Sequence, residues 1–416
     1  MKKMLQNRVV ILAVSTVALG LIVGASSALL SLFLELTEKV FLGFVETAAR
    51  PAATGTSALQ RFLSVTIGGV IVAVSWYWLR NKRRQTVGIT KALSGEKMPF
   101  LETVLHVLLQ IFYVGTGGSV GRELAPREAG ALFAQQWEKL LAKLKLSALT
   151  ESDGQLLVAA AAGAGFAGVY IAPLTGMLFA VEILLKKFSV KNVVVSLVMS
   201  VIAMFVGATV KGFGAYYLVG DVKISAAFLL FIVIVAPICG IIGAIFRKTF
   251  QWAERNQTHD RKILWQLPLM AGLTGLIAAV FPQIMGNGRA LAQLAMSASS
   301  LKLLGLLLFL GLAKAVVTVF TIRAGAAGGT LTPAIAIGAV VGAATGLIAA
   351  PLTGLSVAAC AIVGACAVLA ASQQAPLMAL FMMVEVSHLS VLMLLPLGLA
   401  AALSAVSARW LLKKSS

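Results

Sequence analysis

A chain of 416 residues that is 59% hydrophobic and only 12% charged does not have the make-up of a soluble enzyme or a nucleic-acid-binding domain, in which about a quarter of residues are charged. Its formal net charge of +19 would point to a polyanionic partner in a soluble protein. Here the basic residues gather in short clusters at the ends of apolar runs, the pattern of segments kept on the cytoplasmic face of a membrane, so the expected partner is the lipid bilayer and no nucleic acid.

The first apolar run, Val9 to Leu34, follows Lys2, Lys3 and Arg8. It is too long for the core of a secretory signal and has no obvious cleavage site, so it reads as a retained first helix. Further runs long enough to cross a bilayer are Phe62 to Leu79, Val194 to Val210, Ile224 to Ile245, Leu264 to Val280, Leu303 to Ile322 and Val391 to Val406. Between them lie basic clusters: Arg80, Lys82, Arg83 and Arg84; Lys139, Lys143 and Lys145; Arg247, Lys248, Arg255, Arg261 and Lys262; and finally Lys413 and Lys414. The expectation is an all-α, polytopic membrane protein with both termini cytoplasmic, one transmembrane domain covering residues 1–416 in two halves of roughly 1–215 and 216–416. Cys239, Cys360 and Cys366 sit inside apolar runs without metal or redox spacing, and read as lipid-facing or core packing residues. His106, His259 and His388 also lack ligand spacing, and no metal site is expected.

Two places break the apolar pattern in the same way. Residues 114–130 read VGTGGSVGRELAPREAG and residues 324–338 read AGAAGGTLTPAIAIG, each with a glycine pair shortly before a proline that opens a new run, as where a helix begins inside the protein. A second pair follows: residues 172–182 (APLTGMLFAVE) and 375–385 (APLMALFMMVE) share Ala-Pro-Leu and a closing Val-Glu. Pro126 precedes Pro173 by 47 residues and Pro333 precedes Pro376 by 43. Two motifs in the same order at nearly the same separation indicate an internal duplication. Interrupted apolar segments at corresponding positions of two halves point to a transport site, and the free N–H groups and dipole at the start of a broken helix favour an anion.

Glu123, in Gly121-Arg122-Glu123, is the most costly residue of the chain to place in a membrane. It reads either as a tethered carboxylate that competes for the anion site and gates it, or as an acid that neutralises a helix N-terminus. Arg122 either attracts anions or pairs with a neighbour such as Glu128, and Arg127 with Glu128 reads as a structural pair. After Gly328 and Gly329, the amides of Thr330 and Leu331 are candidate anion donors, the glycines allowing close backbone approach; helix packing through small residues is the competing reading. Val87-Gly88-Ile89-Thr90, after a basic loop, is a weaker third candidate. Glu182 and Glu385 close matching helices and are expected to be structural. No Ser/Lys or His/Asp/Glu constellation stands within the apolar runs, so no enzyme is expected, and intramembrane acids are too few for a sodium-coupled carrier.

Taken together, these residues resemble the CLC family of chloride channels and chloride/proton antiporters. Gly121-Arg122-Glu123 with Pro126 is similar to its GREGP motif, Gly328-Gly329-Thr330-Leu331-Thr332-Pro333 to its GGxFxP motif, and the two Ala-Pro-Leu helices to its paired repeats. The resemblance implies an inverted-repeat bundle with broken and re-entrant helices, a homodimer with one anion pore per subunit, and a bacterial-type inner-membrane location. It also implies Glu123 as the gating glutamate and a bound chloride or similar anion, with no other cofactor, held by Gly121, Arg122, Gly328, Gly329, Thr330 and Leu331. Three departures stand out. Val87 takes the place of the family's pore serine, which leaves Val87 and Gly88 as that region's contribution. No counterpart of its pore tyrosine precedes Ser416. Ile183 occupies the position of the glutamate that relays protons in the antiporters, so protons are a partner only if coupling takes another form. Fluoride transport by an altered relative is the further alternative, although Thr330 stands where the fluoride branch carries an acid.

Overall fold

The computed structural model describes residues 7–146, 149–220, 222 and 224–413; Lys2, Lys3 and Lys414 of the terminal basic clusters lie outside them. Sixteen α-helices follow one another among the described residues. The first eight are α1 (Arg8–Leu42), α2 (Ala58–Lys82), α3 (Ile89–Leu93), α4 (Phe100–Gly115), α5 (Leu124–Lys143), α6 (Glu151–Tyr170), α7 (Pro173–Leu178) and α8 (Val190–Lys211). The second eight are α9 (Ala226–Arg255), α10 (Ile263–Val280), α11 (Arg289–Met296), α12 (Leu304–Arg323), α13 (Leu331–Thr353), α14 (Val357–Gln373), α15 (Pro376–Val386) and α16 (Leu394–Lys413).

Among the described residues, eight helices are long and apolar enough to cross a membrane. Seven correspond, within a few residues at their starts, to the runs picked out in the sequence; the eighth is α13, whose small residues and internal glycines keep its apolar character less obvious to the eye. Helix starts follow local chemistry. Ser189, Ser225 and Ser356 each accept a hydrogen bond from the backbone amide three residues on, and Thr150 with Asp153 forms a reciprocal capping box at α6.

Contacts divide the chain into two compact units. One comprises the chain up to Phe33, Lys82–Ile111 and Glu123–Gly214; the other comprises Leu34–Asn81, Phe112–Arg122 and the chain from Ala215 onward. Within the first, α6 is the central helix, buried from Leu156 to Tyr170 and packed on α5, α7 and α8. Within the second, α14 holds the same place, buried from Ala359 to Ser372 against α13, α9 and α16. Both central helices are rich in Ala and Gly, which lets neighbours approach to backbone contact. A Cβ on Gly165 would lie 2.0 Å from the carbonyl oxygen of Pro126, and one on Gly364 would lie 2.3 Å from that of Gly338.

The two Ala-Pro-Leu motifs adopt one backbone conformation. Ile171 ends α6 at φ 55°, ψ 43° and Gln374 ends α14 at φ 56°, ψ 35°, both left-handed, and the alanines that follow them lie at φ −131° and −135°. A β-branched isoleucine rarely adopts this conformation, so the junction is set by the following proline and the packing rather than by residue preference. Cys239, Cys360 and Cys366 are buried free thiols, in the core rather than facing lipid.

Candidate functional site

The two broken segments start their helices at the same offset. Glu123 is the N-cap of α5 and Thr330 the N-cap of α13, so Pro126 and Pro333 each occupy the third helical position, where a missing N–H costs no helical bond. The departure of Glu123-Leu124-Ala125-Pro126 from GREGP therefore leaves the two halves in step.

Glu123 is fully buried, and its side chain makes no capping bond to α5. Its backbone carbonyl oxygen accepts a 2.7 Å hydrogen bond from Arg127 Nε, and the Arg127 guanidinium lies over the Phe179 ring at 4.7 Å. The carbonyl is thus pinned while the carboxylate does not serve its own helix. Arg127 and Glu128 do not form the pair expected from the sequence. Glu128 instead accepts from Gln110 Nε2 at 2.7 Å and lies 3.7 Å from His106, because successive residues leave a helix in directions too far apart to share a partner.

In the second unit the two glycine motifs meet. Gly121 and Gly329 exchange backbone hydrogen bonds, Gly121 N–H to Gly329 O at 2.9 Å and Gly329 N–H to Gly121 O at 2.8 Å, forming an isolated antiparallel bridge. A Cβ on Gly328 would stand 2.7 Å from Val120 Cβ, so this approach is open only to glycine. The turn before Gly121 is held from below: Gly117 lies at φ 103°, and Ser119 Oγ accepts from Lys314 Nζ at 2.8 Å. Lys314 is fully buried in α12 and also donates to the carbonyls of Ile284 and Gly286. Gln373 Nε2 donates to Thr330 Oγ1 at 3.1 Å, Leu331 is buried, and a polar cavity of about 170 Å³ opens beside Thr330, lined by Arg247, Gln251, Glu254, Ser372 and Gln373.

Arg122 pairs with Glu46 at 3.6 Å rather than with Glu128, and donates to Tyr216 Oη at 3.3 Å. Glu46 also pairs with Arg289 at 3.1 Å. Glu46, Tyr216 and Arg289 had no signal in the sequence, since each lies outside the broken-helix motifs and is brought to Arg122 only by tertiary structure. Lys314 had one: a lone charge inside the apolar run Leu303 to Ile322. Val87 is half-buried and Gly88 exposed, at the cap of the five-residue α3.

Comparison with known proteins gives a consistent answer. The family profile described as "Voltage gated chloride channel" matches residues 68–409. The chain is similar to the Voltage-gated ClC-type chloride channel ClcB of Citrobacter koseri, 25% identical over 362 residues with 81% of each chain covered, and to that of Salmonella typhi, 24% identical over 390 residues with 89% of each covered. Among solved structures it resembles a slow cyanobacterial Cl−/H+ antiporter, with a TM-score of 0.78 at 20% identity over 96% of this chain and 94% of that one. It also resembles a CLC-type fluoride/proton antiporter, with a TM-score of 0.68 at 20% identity and 95% of each chain covered. With its all-helical fold, its eight apolar spans and a family match across most of its length, the chain is an integral membrane protein that belongs to the CLC family of anion channels and transporters.

Proposed function

We propose that the protein carries small inorganic anions, chloride foremost, and that Glu123 gates the path. The amides of the Gly328–Leu331 turn, with Gly121, Arg122, Val87 and Gly88, are the groups assigned to the anion. The observation that supports this most is the complete burial of Glu123 at the start of a broken helix, two residues after the glycine that bonds to Gly329. A carboxylate in that setting is expensive, and ionisable groups kept within a membrane domain mark ion pathways. The polar cavity beside Thr330 supports water access to the amide-rich turn. The protein's place in the CLC family supports assigning it as a homodimer of the inner membrane, and its Lys/Arg clusters between α2 and α3 and between α9 and α10 support cytoplasmic termini.

The test is chloride efflux from sealed vesicles containing the reconstituted protein. Wild-type protein should pass chloride, and Glu123→Gln should change the rate about tenfold or remove its dependence on pH, as expected when a gate loses its charge. Equal flux from both proteins at acid and neutral pH would reject the gate.

A second reading, proton-coupled exchange, is favoured by one feature. Residues Phe179–Leu184 continue α7 as a π-helical turn, and Glu182 lies inside it, half-buried. Such a turn carries one extra residue and re-aims the side chains it contains, which offers Glu182 for the role that Ile183 lacks. Uphill proton movement driven by a chloride gradient distinguishes this reading from a channel.

A further inference from the structure

The polar cavity beside Thr330 has a cationic wall. Arg247 stands in α9, two turns before its end, and an arginine inside a membrane span faces either a partner or water. One turn earlier α9 and α14 touch: a Cβ on Gly243 would lie 2.6 Å from Ala371 Cβ and 3.2 Å from the Ser372 amide nitrogen. From Arg247 onward the two helices part. Arg247, Gln251 and Glu254 follow one another along a single face of α9 and line the cavity with Ser372, Gln373 and Thr330. Ser372 is buried, Arg247, Gln251, Gln373 and Thr330 are half-buried, and Glu254 is exposed, so the cavity opens to solvent at the Glu254 end.

The donors of Arg247 are only partly used. Its Nη1 donates to the Ser372 carbonyl oxygen at 2.5 Å, and the guanidinium makes no other hydrogen bond and no ion pair among the described residues. Glu254 acts on it only through space, and as an exposed carboxylate it is screened by solvent. Since Nη1 lies on the Cδ side of the guanidinium, the edge left open is Nε with Nη2. These are the two parallel N–H bonds with which arginine grips a carboxylate or another planar oxyanion. The bond at Nη1 fixes the plane of this fork before any ligand arrives, which lowers the ordering cost of binding. Gln373 ties the same wall to the start of α13, donating from Nε2 to Thr330 Oγ1 at 3.1 Å and to Ser372 Oγ at 3.4 Å. The cavity, about 170 Å³ in volume, admits an anion the size of formate or nitrate. A spherical halide gains less from such a fork, because it offers no pair of oxygens to match the two donors.

We propose that the Nε–Nη2 edge of Arg247 is a binding site for a small planar oxyanion of carboxylate or nitrate shape, and that an ion held there stands next to the amide turn of α13. Its place on the anion path rests on the anion-transport reading; the binding itself does not.

The experiment measures thermal stabilisation of detergent-solubilised protein by sodium formate and by sodium bromide, with isethionate holding the ionic strength constant. In wild type the half-saturating formate concentration should lie about fivefold below that of bromide, the scale of one added charge-assisted hydrogen bond. Arg247→Lys keeps the charge and removes the fork. It should raise the formate concentration needed by about tenfold and leave that of bromide within twofold of wild type. A variant that weakens both anions alike, or neither, makes Arg247 a brace for the α9–α14 contact and overturns the proposal. If Arg247→Lys does not elute as a single species, the wild-type ratio decides alone, and bromide binding as well as formate overturns it. Chloride flux in vesicles keeps the two readings apart. Wild-type flux without a formate preference leaves transport standing and removes the site, whereas a formate preference that Arg247→Lys abolishes, with no wild-type flux, keeps the site and removes its place on the path.

Discussion

Gly121 and Gly329, 208 positions apart in the chain, are joined by a reciprocal pair of backbone hydrogen bonds of 2.9 and 2.8 Å. This closes the two glycine motifs on each other and leaves the amides that follow Gly329 at the start of α13. Gly328 is the residue with least latitude here, since an added Cβ would stand 2.7 Å from Val120 Cβ and 3.0 Å from the Gly121 carbonyl oxygen. Gly328→Ala should therefore shift the turn without unfolding the bundle and reduce chloride flux by roughly tenfold to a hundredfold, the usual cost of misplacing binding groups by about 1 Å. Flux in vesicles, with elution volume as the check on folding, measures this; a rate within twofold of wild type would detach the turn from the anion path.

Lys314 presents a different expectation. It is fully buried within an apolar span and donates to Ser119 Oγ and two backbone carbonyls. Lys314→Met keeps the volume and removes the donors, leaving buried acceptors unmatched at a cost of about 1–3 kcal/mol each. The melting temperature in detergent should fall by several degrees. Lys314→Arg should retain part of the loss-free stability because the donors remain, although the planar head group does not fit three acceptors placed around an ammonium.

Asp153, in the first turn of α6 and outside the eight apolar spans, gives a pH-dependent prediction. Burial alone would raise its pKa, but hydrogen bonds from Arg8, Lys191 and Thr150 outweigh this and hold the carboxyl well below its ordinary range. A pKa lowered by folding contributes stability that is present above the unfolded value and is lost as the pH falls below it. Asp153→Asn should lower the melting temperature at pH 7, and the gap from wild type should narrow as the medium is taken below about pH 4, the ordinary aspartate value. A gap constant across that range would show that the residue acts by shape alone.

Much of this architecture was legible in the residues. Apolar length located seven of the eight spans, and Gly121 and Gly328-Gly329 with their prolines marked the helix starts at Leu124 and Leu331, because backbone geometry that only glycine and proline tolerate leaves a direct trace in the sequence. Glu123 was legible for a related reason, as a carboxylate is conspicuous where lipid-soluble residues surround it. What escaped was partner choice. Arg122, read either as an anion attractor or as the partner of a neighbour such as Glu128, pairs with Glu46, and the Arg127–Glu128 neighbours turn to Glu123 and Gln110. Side-chain pairing depends on which loops fold over which helix, and the α1–α2 connection bearing Glu46 has no periodicity to announce its path. The αL residue at Ile171 was equally hidden, since nothing about isoleucine favours that conformation.

The glycine–carbonyl contacts of α6 with α5 and of α14 with α13 limit how the protein can work. Where a Cβ would lie only 2.0–2.3 Å from a neighbouring carbonyl, the two backbones have already reached the smallest separation that matter allows, and sliding one helix along the other would drive its Cα carbons into the opposing peptide oxygens. Each such pair behaves as a seized bearing. Motion at these two contacts is confined to each helix pair moving as one body and to the side chains and connecting segments around it.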